Sequence, residues 1–143
     1  MNPKISQAIT GGIVATIAMT LFMMIVPMMG MPKMNVPEML SGMMVFSIIT
    51  GWLMHFMIGI TLALIYAFPF ANLLKKISNK IFKGAIFGLA VFLLAQIRFA
   101  ILGAMFSGMP PPEGSMELMM IGSILGHVIF GIVVALFVKE PQD

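Results

Sequence analysis

Four long apolar runs, separated by short stretches where proline, glycine or lysine accumulates, set the pattern of this chain. They lie near Ile5–Val26, Met43–Phe68, Ile81–Phe106 and Met116–Val138. Each is long enough to cross a hydrocarbon core, which takes roughly 20 apolar residues in a helix. Barrel strands are excluded, because the runs exceed the roughly 10 residues such a strand needs and do not alternate. The first run is read as a span and not a removed signal peptide. Its apolar stretch is long for one, and no small-x-small cleavage site follows it.

The two halves repeat. With an offset of 72 residues they align without a gap, and 18 of the 71 overlapping positions are identical, enough to align every span of one half with a span of the other. The best-kept block reads HFMIGITLAL from His55 and HVIFGIVVAL from His127. The spacing predicts an all-α transmembrane four-helix bundle built from two tandem parallel helical-hairpin repeats. Residues 1–71 form one repeat and residues 73–143 the other, within a single membrane domain over 1–143. The repeats share one orientation, so their pseudo-two-fold axis is expected along the membrane normal and not in its plane.

Composition sharpens this picture. Hydrophobic residues make up 60% of the chain and charged residues 9%, far from the balance of a soluble domain. Cysteine is absent, which excludes disulfides, thiolate metal sites and cysteine nucleophiles. The net charge of +3 is no nucleic-acid footprint, because it gathers at one side of the membrane. Lys75, Lys76, Lys80 and Lys83 crowd the middle connection, with Lys4 and Lys139 near the termini. By the positive-inside rule both termini and this loop are expected to be cytoplasmic, in a bacterial inner membrane. The opposite loops, PMMGMPKMNVPEMLSGMM from Pro27 and SGMPPPEGSMELMM from Ser107, are expected to form ordered caps.

The only two histidines, His55 and His127, occupy aligned positions about 12 residues from the outer boundary, roughly 18 Å into the membrane. Small residues accompany each at four-residue spacing: Gly51, Gly59 and Ala63, and Ser123, Gly131 and Ala135. Such stripes let helices approach closely, and ionisable groups at this depth carry function by default. Three roles compete. A neutral imidazole can bond to a backbone carbonyl or to Thr10, Thr16 or Thr20 of the first span. Both histidines can hold a b-type haem, or one can serve a quinone, lipid or proton site. Stripes that draw the two histidine helices together argue against haem, whereas stripes facing the first and third spans do not.

Arg98 is the only formal charge well inside a span, roughly 22 Å along its helix from Lys83. Its expected partners are a lipid phosphate, Glu113, Glu117 or Glu38, a haem propionate, or a carboxylate of another subunit. No Asp or Glu lies deep in any span, Glu117 standing at the outer end of the fourth, which disfavours a self-contained proton-driven transporter. Twelve of the 18 methionines fall at or near the outer end. Met28, Met29, Met31 and Met34 sit within seven residues, and soft thioethers suit Cu(I). They equally suit an adaptable packing surface.

The second span, GWLMHFMIGITLALIYA from Gly51, resembles a pattern of small bacterial four-helix integral membrane proteins. These show Gly-Trp, a histidine three residues on, then glycine and alanine (a GWxxHxxxGIxxA helix). The resemblance implies the four-helix layout and no particular reaction. The aligned fourth span departs from it, with Ile124 in place of Trp52.

No nucleophile–base pair, metalloprotease helix motif or phosphate loop is present. The chain is therefore expected to be a non-enzymatic integral membrane protein, an accessory subunit of a larger bacterial inner-membrane complex, with a respiratory complex foremost. Its partners are then membrane lipids and other integral membrane subunits. The first span's Gly11/Ala15 and Gly12/Thr16/Thr20 rows and the methionine-rich outer loops are the expected partner face, with internal packing the alternative for Gly12, which repeats as Gly84. The alternatives are haem b electron transfer through His55 and His127, and periplasmic Cu(I) handling by the methionine-rich loops.

Overall fold

The computed structural model describes residues 2–44, 47–105 and 114–139. Helix α1 (Pro3–Ile25) begins where Asn2 Oδ1 accepts the Lys4 N–H at 3.0 Å and Pro3 fills a first-turn position that needs no donor. It tightens into a 3-10 turn, Val26–Met29, and stops at Gly30, whose φ of 86° favours a residue without Cβ. A short helix α2 (Val36–Met44) follows. Helix α3 (Ile48–Ile65) is capped by Ser47. It runs on through a π-turn at Tyr66–Phe70, which contains Pro69, and closes at Ala71–Leu73. Helix α4 (Lys80–Met105) starts at Asn79, whose Oδ1 accepts the Phe82 N–H at 3.1 Å. Helix α5 (Met116–Phe137) starts at Ser115, which accepts from Leu118.

Four of these helices are long and apolar enough to cross a membrane: Pro3–Met29, Ile48–Leu73, Lys80–Ile101 and Met116–Phe137. The chain is thus a multi-pass helical membrane bundle, with no strand among the described residues. The second span begins later than the hydrophobic run suggests, because Met43 and Met44 belong to α2. It also ends later. Pro69 lacks an N–H, and the helix widens into a π-turn there instead of stopping. Leu21, Leu53, Met57, Leu93 and Leu136 are each more than half exposed, as a lipid-facing surface requires.

The helices run up and down. Lys139 N–H donates to Gln7 Oε1 at 2.9 Å, and Lys4 Nζ lies 5.3 Å above the Phe68 ring. The start of α1, the end of the second span and the end of α5 therefore share one end. Helix α1 packs on both α3 and α5, α5 packs on α4, and α2 lies on α3. The π-turn after α3 meets α4 through rings, with Phe87 at 5.0 Å from Tyr66 and 4.8 Å from Phe70.

Within each hairpin the backbones nearly touch. A Cβ on Gly12 would lie 2.8 Å from Ile60 Cα and 3.0 Å from the Gly59 carbonyl oxygen. On Gly84 it would lie 2.6 Å from Ile132 Cα and 2.7 Å from the Gly131 oxygen. Every residue of the first contact aligns with one of the second at the 72-residue offset. Gly59 and Gly131 thus face α1 and α4, the first and third spans, whereas Gly51 meets Pro37 and Ser41 of α2. Gly11, Ala15, Gly12 and Thr16 are all buried inside the bundle. The expectation that these rows meet a partner is corrected: Gly12 and Thr16 pack on α3, and Gly11 meets Phe137 of α5.

Gly12→Val and Gly84→Val each drive a side chain into the facing backbone, which cannot yield as a flexible side chain can. Each is expected to destabilise the bundle by about 3 kcal/mol or more. Gly42→Ala, with nothing within 4 Å of the added carbon, is the neutral control. Thermal melts in mild detergent check the contrast.

Candidate functional site

Polar groups in the bundle have no water to turn to, so their partners follow from local chemistry. Each threonine on α1 first satisfies itself. The hydroxyls of Thr10, Thr16 and Thr20 donate to the carbonyls of Ser6, Gly12 and Thr16 at 2.6, 2.7 and 2.7 Å. A hydroxyl has one hydrogen, so each oxygen then remains only an acceptor. His55 of α3 places Nε2 3.1 Å from Thr20 Oγ1. Nε2 must therefore carry the proton and donate, and Nδ1 keeps its lone pair. The residue is 8% exposed, with Trp52 edge-on at 6.3 Å. Of the three candidate threonines, Thr20 is the one that meets the ring.

His127 is held the other way round. Its Nδ1 lies 2.7 Å from the Ser123 carbonyl oxygen of its own helix. A carbonyl only accepts, so Nδ1 bears the proton and Nε2 the lone pair. The position aligned with Thr20 is Phe92, whose ring stands edge-on to His127 at 5.9 Å. Without a hydroxyl across the hairpin, His127 turns back to its own backbone.

Arg98 completes the group. It is near enough for its charge to act on both rings, and the two rings act on each other. The three residues singled out in the sequence thus lie within electrostatic reach of one another, without a direct hydrogen bond between them among the described residues. The guanidinium rests 4.9 Å from the Phe99 ring, and its buried Nε has no hydrogen-bond partner among the described residues. Glu38 accepts from Asn35 at 2.9 Å, Glu117 is exposed in the first turn of α5, and Glu113 lies outside the described residues.

A bis-histidine haem needs two imidazole lone pairs aimed at one iron from opposite faces of a porphyrin-wide space. Here the Nε2 proton of His55 is directed at Thr20, and Phe92 stands against His127. The arrangement does not fit that group. A quinone carbonyl needs donors, and both rings spend theirs on Thr20 and Ser123; Arg98 Nε is the buried side-chain nitrogen without a partner among the described residues.

The methionines divide. Met28 and Met29 are 86% and 73% exposed on the 3-10 turn. Met31 and Met34 turn inward: a Cβ on Gly122 would lie 3.7 Å from Met31 Sδ and 3.0 Å from Met34 Cε. There they join Met19 and Met23 of α1, whose Cγ and Sδ each lie 3.6 Å from the Cβ position of Gly126. Sequence reasoning passed over Met19 and Met23. The available signal was the four-residue spacing of Met19 and Met23, matched by Gly122 and Gly126. A cavity of about 320 Å³ opens beside them, lined in part by Met19, Thr20, Met23, Met34, Trp52 and His55.

Four apolar helices with histidine and arginine side chains gathered between them define a polytopic membrane protein with a small polar interior. A family model described as a family of unknown function (DUF6789) matches residues 2–141, and the chain belongs to that family. No curated protein and no solved structure matches it.

Thr20→Val keeps the shape of the side chain and removes the acceptor for His55. The expected loss is about 1 kcal/mol, the usual scale of an interhelical hydrogen bond in a membrane protein. Reversible unfolding in bicelles measures it. Wild-type stability in this variant would show that the bond contributes nothing.

Proposed function

We propose that this protein is a non-enzymatic accessory subunit, packed within a larger bacterial inner-membrane complex, of which a respiratory complex is the first to test. In this reading both termini face the cytoplasm, and the two hairpins are copies of one unit. Arg98 carries the proposal. A buried guanidinium nitrogen without a partner is costly in an apolar phase, and membrane arginines pair with another polar group. Leu94, Ile97 and Ile101, which flank the half-buried Arg98 on α4, are each more than half exposed, so the face beside Arg98 is open to a neighbouring helix. The fitting occupant is a transmembrane helix of another subunit that places a carboxylate at the depth of Arg98. A lipid headgroup phosphate would satisfy the charge without assembly.

Purification from the native membrane in mild detergent, followed by mass measurement, distinguishes the two. Co-purifying membrane subunits are expected, and Arg98→Gln is expected to release them while the isolated chain keeps its helical content and melting temperature. A lone chain carrying only lipid would overturn the proposal.

The orientation rests on the lysine distribution. A cysteine introduced as Asn79→Cys, in the exposed connection before α4, is expected to resist a membrane-impermeant maleimide in spheroplasts and to react after lysis. Labelling in intact spheroplasts would invert the topology.

A further inference from the structure

The cavity beside His55 has a ligand set that the accessory role does not use. Met19 and Met23 of α1 and Met34 of the following connection line it, and so does the His55 ring. Their convergence is built into the helices. Gly122 and Gly126 stand one turn apart on α5, and the absence of side chains there admits the thioethers. Any Cβ at Gly126 would collide with Met23 Cε. The imidazole is also prepared. Thr20 Oγ1 accepts the hydrogen bond that its Nε2–H donates, which fixes the tautomer and leaves Nδ1 with its lone pair, the usual arrangement behind a metal-bound histidine.

We propose that this cavity binds a soft monovalent cation, Cu(I) or Ag(I), through the thioethers of Met19, Met23 and Met34 and through His55 Nδ1. The proposal is independent of the accessory-subunit reading. All four ligands are neutral, and thioethers favour soft ions. Zinc and the hard divalent ions want thiolates, carboxylates or several imidazoles. No cluster of three or more His, Cys, Asp or Glu residues that could hold them exists among the described residues. The volume of about 320 Å³ accommodates an ion with room for the thioethers to close on it. Methionine suits this adjustment because it is unbranched and flexible. Met28 and Met29, exposed on the adjoining turn, offer a first contact on the way in. Lys33 also lines the cavity, but its side chain is exposed, so its ammonium stays with water at the mouth.

The test uses the full chain purified in mild detergent. Cu(I) is titrated anaerobically against a chromogenic Cu(I) chelator, and Ag(I) binding is counted by native mass spectrometry. One ion per chain is expected. Met23→Leu and Met34→Leu, which keep the bulk and remove the sulfur, are each expected to weaken binding roughly tenfold or more, as loss of a metal contact does. Met28→Leu combined with Met29→Leu is expected to bind as the wild type does. If Met23→Leu fails to fold, judged by circular dichroism, Met34→Leu decides alone, because Met34 lies outside the helices. Three results would overturn the proposal: no ion retained by the wild type, undiminished binding in Met34→Leu, or loss of binding in the Met28/Met29 variant alone. The last would place the ion on the exposed turn.

Discussion

Close approach of helix backbones at glycine governs this bundle. In lipid, two apolar helices gain nothing from burying oil against oil, so association must come from intimate contact and from polar groups that have nowhere else to go. Gly12 against Ile60 and Gly59, and Gly84 against Ile132 and Gly131, provide that intimacy inside the two hairpins. Once those contacts form, the remaining arrangement is constrained. The His55 ring is held against the threonine face of α1. The α5 surface is turned with Gly126 toward Met19 and Met23 of α1 and Gly122 toward Met31 and Met34 of the following connection.

The same closeness decides the hydrogen bonding. A threonine hydroxyl in a membrane helix returns its proton to its own backbone, and this converts α1 from a donor surface to an acceptor surface. His55 arrives as the donor that such a surface can accept. Where the aligned residue is Phe92, the imidazole finds no oxygen across the hairpin and bonds within its own turn. One exchange of residue type thus reverses which ring nitrogen holds the proton.

Much of this was legible beforehand, and the limits have physical causes. The four spans follow from run length alone, because no other feature produces 20 consecutive apolar residues so readily. For helix α2 the sequence predicts only an ordered cap, since a nine-residue segment containing Pro37 and Gly42 carries little periodic signal. The extension past Pro69 depended on a local widening that hydropathy does not encode. That histidine would meet a threonine was foreseeable, but the choice of Thr20 over Thr10 or Thr16 rests on the depth at which α1 and α3 cross. The inward turn of Met31 and Met34 was invisible, because it depends on which side of a different helix lacks side chains. The rows of α1 were assigned to a partner because small-residue stripes look alike whether they serve internal or external contacts.

The difference between Thr20 and Phe92 reaches beyond hydrogen bonding. Two hairpins whose sequences align at a 72-residue offset, each with one histidine, could be expected to enclose two like sites. Here one hairpin carries an imidazole whose free nitrogen is Nδ1, next to a hydroxyl-bearing helix. The other carries an imidazole whose free nitrogen is Nε2, next to an aromatic wall. The two interiors are therefore not equivalent. A small molecule that fits beside one imidazole meets a different lone pair and a different wall beside the other, so the aligned histidines do not make two like sites.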